Sequence, residues 1–298
     1  MSDVDYGITP AELKRLGELA GFEVEESVEE PDEDLPELEF HYDEDVDIEG
    51  LLQEMGQAAV SADPDSFAKY VSENRQLIRV AVAMDPSVSE MLVYGYKLGI
   101  KMGGAACMND LGALYYMGEL VEQDFQKAAD LYEMAMDRGC LQSVINLGYI
   151  WEYGRTGERD YERAYHYFAL AAALVDSYEA VYKLGDMYAR GQGVERDVAK
   201  AYQLWSRSLE LAENVVELAQ PAARIAQLLI SDDCAAAHVQ PDALRALSLF
   251  QQAEIGLRID IDNGQVYYKK RLQEVIEGQA RARETLGHGS ESPSVSWD

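Results

Sequence analysis

The chain has 298 residues, is 48% hydrophobic, and carries 55 acidic against 25 basic residues for a net charge of −30. That balance disfavours nucleic acid, which needs a basic footprint on its partner, and no apolar run approaches the ~20 residues that span a bilayer. Three cysteines (Cys107, Cys140, Cys234) and an N-terminus with neither a basic nor an apolar leader region lead to the expectation of a cytoplasmic protein with reduced thiols. The charge is uneven, with 20 acidic and two basic residues in 1–60.

From the N-terminus, Thr9-Pro10 followed by Glu12 reads as a helix start, with an N-cap, a first-turn proline and a capping box. Leu13, Leu16, Leu19 and Ala20 form the narrow stripe of a helix over 9–20, too short to be stable alone. It either docks on the rest of the chain or serves as a detachable peptide; docking is the favoured reading. Residues 23–49 are acidic, with two prolines and few apolar residues, and read as a disordered arm in which Phe40 and Tyr42 could act as anchors. Helical order is expected again from Ile48, where Leu51, Leu52, Met55 and Ala59 share a face. Asp63-Pro64 starts a helix over 64–84, with Phe67, Val71, Leu77, Ile78 and Ala81 inward. Asp85-Pro86 starts another over 86–102, with Met91, Tyr94 and Leu98 inward.

Between 105 and 210 the chain says nearly the same thing three times. LGALYYMG begins at Leu111, LGYIWEYG at Leu147 and LGDMYARG at Leu184, spacings of 36 and 37 residues. Six residues past each closing glycine stands an aspartate (Asp124, Asp160, Asp197), then Lys127-Ala128, Arg163-Ala164 and Lys200-Ala201. A period this regular means stacked repeats. Each unit reads as a helix A ending at glycine, then a helix B capped by the aspartate. Helix B turns Ala128, Leu131, Tyr132 and Ala135 inward in the first unit. The equivalents are Ala164, Tyr167, Phe168 and Ala171 in the second, and Ala201, Leu204 and Trp205 in the third. The glycine of each Leu-Gly pair marks a place where a neighbouring helix leaves no room for a Cβ. Tyr115, Trp151 and Tyr188 are expected in the core.

These residues resemble the Sel-one-like repeat family, a relative of the tetratricopeptide repeat. The third unit carries the resemblance best, through Ala180, Leu184, Gly185, Tyr188, Gly191, Gly193, Val194, Asp197, Lys200, Ala201 and Trp205. The first unit has Leu120 at the second turn glycine, and the second unit has a shifted turn at Arg155-Thr156-Gly157. The resemblance implies a right-handed α-α solenoid and an adaptor role without catalysis. The disulfides of the family's secreted branch do not carry over, since Cys107 and Cys140 miss the two positions that branch uses.

Beyond the third unit, Ala222–Ile230 resembles a helix A without its glycine, and Asp242, Arg245, Ala246, Phe250 and Ala253 restore the helix B pattern. This is a divergent fourth repeat over 212–262, preceded by capping helices over 48–104 that include a degenerate repeat. A helix over 265–286, with Val266, Tyr267, Leu272, Val275 and Ile276 as its apolar residues, closes the array before a disordered tail. Its Lys269, Lys270, Arg271, Arg281 and Arg283 make the one basic stretch, a possible dock for the acidic arm.

No catalytic constellation stands out. His41, His166, His238 and His288 are scattered, and Cys234 with His238 lacks further ligands, so neither metal nor cofactor is expected. The positions flanking each Leu-Gly pair and following the helix A aromatic should line the concave face: Asp110, Ala113 and Tyr116; Asn146, Tyr149 and Glu152; Lys183, Asp186 and Ala189. Tyrosines framed by amides and carboxylates suit a peptide. The expected function is a scaffold that holds a basic protein or peptide there; the competing reading is a regulator acting through the acidic arm. The oligomeric state is left open.

Overall fold

The structure is a computed structural model that describes residues 7–21, 46–118 and 120–288. Of the acidic arm expected over 23–49, residues 23–45 lie outside the described residues, as do 289–298 of the tail expected over 287–298, whose first two residues belong to the last helix. Among the described residues there are fourteen α-helices and no strand. The chain divides into two compact units, 1–147 and 148–298.

The first unit holds α1 (Pro10–Leu19), α2 (Ile48–Ala59), α3 (Ser66–Glu73), α4 (Arg75–Met84), α5 (Pro86–Lys101), α6 (Ala105–Met117), α7 (Phe125–Met136) and the start of α8 (Leu141–Tyr153). The capping box of α1 forms as expected, Thr9 and Glu12 bonding each other's backbone N–H. The helix packs on α5 and α2 and buries Leu16 with Ile8 and Ala20. Arg15 reaches Glu90 at 2.8 Å and Lys97 pairs with Glu12. The exposed Arg15–Glu90 pair contributes little, so the hold rests on Leu16, worth about 1.5–3 kcal/mol when fully buried, with the part-buried Lys97–Glu12 pair beside it.

The helix expected over 64–84 is broken. Asn74 stands between α3 and α4 at φ −108°, ψ 21°. Its side-chain amide donates to the Tyr70 carbonyl at 2.9 Å, a local bond that competes with the helical ladder. Leu77 is consequently 42% exposed instead of inward. Asp65 leaves its own helix uncapped, and its carboxylate accepts from the Ala106 and Cys107 N–H groups that open α6. Cys107, whose Sγ donates to the Pro64 carbonyl, has its thiol pushed up by burial to about 12.

The second unit holds the rest of α8, then α9 (Tyr161–Leu174), α10 (Tyr178–Arg190), α11 (Val198–Leu211), α12 (Val215–Leu229), α13 (Ala243–Asp262) and α14 (Lys269–His288). The fourth helix A starts at Val215, seven residues before the expected Ala222. Asn214 caps it, and Pro221 is carried inside the helix. The last helix likewise begins later than expected, because Val266–Tyr268 forms a 3-10 turn and leaves Tyr267 57% exposed.

The repeat chemistry is local and regular. Asp124, Asp160, Asp197 and Asp242 each accept from the backbone N–H three residues on, at 2.8–2.9 Å. Gly118 and Gly191 end α6 and α10 in the left-handed region, at φ 71° and 66°. A Cβ on Gly112 would lie 2.8 Å from the Tyr132 ring, one on Gly148 2.6 Å from Phe168, and one on Gly185 2.5 Å from Trp205. The Leu-Gly glycine thus makes room for the helix B aromatic. In the fourth repeat α14 supplies that room, since a Cβ on Gly278 would lie 2.3 Å from Phe250.

Candidate functional site

The residues flanking the Leu-Gly pairs occupy one register of each helix A. In the first unit, Asp110 is partly buried and accepts from Asn109 Nδ2 at 3.0 Å and from the Tyr96 hydroxyl. Burial pushes its carboxyl above the ordinary value against those bonds. Asn146 donates to Asn109 Oδ1 at 3.0 Å, and Ser143 Oγ donates to the same oxygen at 2.9 Å. Tyr116 is partly exposed and sits edge-on to Phe125, 5.4 Å between centroids.

In the second unit the register turns inward. Lys183 is 4% exposed, with Nζ 2.7 Å from Glu152 Oε1, and Glu152 is itself 5% exposed. The ammonium also lies 5.0 Å from the Tyr149 ring centroid and 5.5 Å from that of Phe168, within cation–π range. Asp186, 2% exposed, accepts from Arg224 Nε at 2.6 Å, Arg224 Nη2 at 2.7 Å and Trp205 Nε1 at 3.1 Å. Burial opposes its ionisation, but the Arg224 charge and hydrogen bonds prevail and hold the carboxyl below its ordinary value. Tyr149 donates to Glu179 Oε1 at 2.8 Å, with the Tyr182 hydroxyl at 3.3 Å.

Glu152, Lys183 and Asp186 therefore meet the neighbouring helices where solvent exposure was expected. Lys183 and Asp186, placed one helix away from an opposite charge, find it across the stack. The helix A aromatics are only partly buried: Tyr115 and Tyr188 pack against the edge of the core, and Trp151 is likewise half-buried. Lys127 lies over Tyr115 at 5.1 Å and Arg163 over Trp151 at 3.9 Å, while Tyr188 meets the Tyr165 hydroxyl at 3.2 Å. The basic residue before each helix B alanine covers that ring in the first two repeats.

A cleft of about 510 Å³ opens beside Trp151, between residues 158–162 and Gly193. Among the described residues no group of three or more His, Cys, Asp or Glu side chains could hold a metal ion, and no helix is long and apolar enough to cross a membrane.

The Sel1 repeat family model matches residues 105–140, 142–176 and 179–212, the three units marked by the Leu-Gly period. Residues 105–212 are three Sel1 repeats. Two solved structures share its fold. A Sel1 repeat protein from Oxalobacter formigenes is 21% identical, with a TM-score of 0.53, over 76% of this chain and 91% of that one. The second is c5321, a protective antigen of uropathogenic Escherichia coli strains with an SLR fold. It is 20% identical, with a TM-score of 0.51, over 80% of this chain and 49% of that one. No curated protein matches the chain. Sel1 repeats generally mediate protein interactions, and the family is typically non-enzymatic.

The same register continues into the divergent fourth repeat, for which no facing residues were expected. Gln220 follows Lys183 by 37 residues, the repeat period, and is 8% exposed with no hydrogen-bond partner for its Nε2. Counting the period would have found it, but the helix expected from the sequence began at Ala222, past this position.

Proposed function

We propose that this chain is a non-catalytic scaffold that holds a peptide or helix of a basic partner along the helix A register. The observation that carries the reading is the register itself. In the first unit it presents Asp110, Tyr116 and Asn146, and in the second Tyr149 with a surrounding group of tyrosines and carboxylates. Glu152, Lys183 and Asp186 then act as a framework that fixes the helices bearing those contacts. A net charge of −30 favours a cationic partner and fast, salt-sensitive association.

The acidic N-terminal segment supports a second reading, in which it occupies a basic site on the partner and the repeats present it. Replacing the acidic residues of 23–45 by Asn and Gln separates the two while leaving α1 in place. Tagged wild-type and neutralised proteins are used for capture from native extract, followed by mass spectrometry. A partner kept by the neutralised protein and lost on Tyr116→Ala with Asp110→Asn supports the register. A partner lost on neutralisation alone overturns it in favour of the arm.

A further inference from the structure

The second Sel1 repeat departs from its two neighbours around one turn. Its helix A aromatic is Trp151, where the others carry Tyr115 and Tyr188. Three residues past the closing glycine it has Gly157, where the others carry Val121 and Val194. Its helix B starts with Tyr161-Glu162, against Phe125-Gln126 and Val198-Ala199. Trp151, Tyr161 and Glu162 meet in one cleft of about 510 Å³, a volume within the ~300–1,000 Å³ of ligand pockets. A Cβ on Gly157, next to this lining, would meet nothing within 4 Å, so nothing else fills the space beside it. Gly193 closes the opposite wall. Its own Cβ would lie 2.2 Å from the Tyr161 carbonyl oxygen, so the turn of the third repeat packs backbone to backbone against the start of α9.

The departures add ring surface and a carboxylate. Trp151 Nε1 is enclosed without a hydrogen-bond partner, which is unfavourable, so what tryptophan adds here is its ring. That ring already draws one guanidinium, Arg163 at 3.9 Å from its centroid. Glu158, Arg159 and Asp160 complete the lining. The Asp160 carboxylate caps α9 by accepting from the Arg163 N–H at 2.9 Å. Glu158 and Glu162 are exposed and form no hydrogen bond or ion pair among the described residues. The local cations are not peculiar to this turn, since Arg159 corresponds to Arg196 in the third repeat and Arg163 to Lys127 and Lys200. What distinguishes the cleft is therefore two uncommitted carboxylates beside two aromatic rings. An anion would meet three carboxylates there, whereas a flat cation finds both a counter-charge and π faces.

We propose that this cleft seats an arginine side chain of a partner peptide, with Glu158 and Glu162 for its charge and the Trp151 and Tyr161 rings for its planar face. Arginine suits it better than lysine, because the guanidinium both stacks on rings and forks onto carboxylates. The inference goes beyond the scaffold reading: the cleft is built from the turns and not from the facing residues of the helix A register, so either can fail without the other.

The probe is a blocked pentapeptide, acetyl-Gly-Ser-Arg-Ser-Gly-amide, beside its citrulline analogue, which keeps the shape and removes the charge. Each is titrated into the full, nitrogen-15-labelled chain at neutral pH and low salt, and the indole N–H resonances are followed. Trp151→Tyr, the residue of the other two repeats, assigns the Trp151 signal by its loss. The arginine peptide should move that signal saturably and leave in place the signal of Trp205, whose N–H is bonded to Asp186. The citrulline peptide should move neither. Glu158→Gln and Glu162→Gln should each weaken the arginine peptide about fivefold, the size of one favourable ion pair. Because any cation is drawn to a −30 protein, Glu213→Gln serves as a control that removes equal charge from an exposed site, and it should weaken binding less than twofold. Both cleft carboxylates are exposed, so these variants should melt with the wild type, which separates lost binding from lost folding. A Trp151 signal that stays still, an equal response to citrulline, or a loss on Glu162→Gln no larger than on Glu213→Gln overturns the site. None of these outcomes touches the helix A register, which its own capture experiment decides.

Discussion

Arg224 and Asp186 show what a polar residue in the helix A register can be used for. The pair is enclosed, with Arg224 7% and Asp186 2% exposed, and Trp205 Nε1 and Arg190 Nη2 also donate to the carboxylate. Such a pair adds little over an apolar one, but removing a single partner of a buried pair costs about 3–5 kcal/mol, a figure that is an upper bound for Arg224 because the half-exposed Arg190 also reaches Asp186 Oδ2 at 3.1 Å. Arg224→Leu should therefore lower urea-denaturation stability by no more than that amount at pH 7, and Arg224→Leu with Asp186→Leu should recover part of it. Asp186 is depressed in the folded protein, so the pair's contribution is complete above the unfolded carboxylate value near pH ~4. It is lost as pH falls through the lower folded value. The gap between wild type and Arg224→Leu should narrow on acidification below pH ~4; a gap unchanged with pH would remove the ion pair as its cause.

The contact between helix A and helix B depends on glycine in the same way in three repeats. Alanine at Gly185 would gain about 1 kcal/mol of helix propensity. Its Cβ would lie 2.5 Å from Trp205 Cδ1, in a ring tied down by its hydrogen bond to Asp186. Overpacking of this kind costs about 1–3 kcal/mol, so Gly185→Ala should lower the thermal midpoint despite the better helix former, and adding Trp205→Leu should restore it. A rise in midpoint for Gly185→Ala alone would refute the close-approach reading. Elements like these were legible in the sequence because their signals are local: Asp124, Asp160 and Asp197 cap helices whose first turns they adjoin. The break at Asn74, the early start of α12 ahead of Pro221 and the partners of Lys183 and Asp186 were not. The first is decided by a competing side-chain bond, the second by an Asn214 cap that outweighs the proline, and the last by residues 31 and 38 positions away. The candidate site was legible as a register and not as a surface, because periodicity gives the face of a helix but not what packs against it.

At the scale of the whole molecule, charge acts on stability and on binding with opposite sign. A net charge of −30, with 20 of 55 acidic residues in the first 60 positions, makes self-repulsion a standing cost of the folded state. Added salt shortens the Debye length from about 30 Å at 0.01 M to about 8 Å at 0.15 M. The repulsion is then screened, while the buried Lys183–Glu152 and Arg224–Asp186 pairs are screened far less. The thermal midpoint should therefore rise by a few degrees between 10 and 150 mM sodium chloride. The same screening should weaken capture of a cationic partner over the same range. A midpoint that is flat or falling would mean that exposed ion pairs such as Arg15–Glu90 outweigh the repulsion. Affinity that is flat while the midpoint rises would mean that recognition rests on apolar and hydrogen-bonding contacts, with the acidity serving only the solubility of the chain.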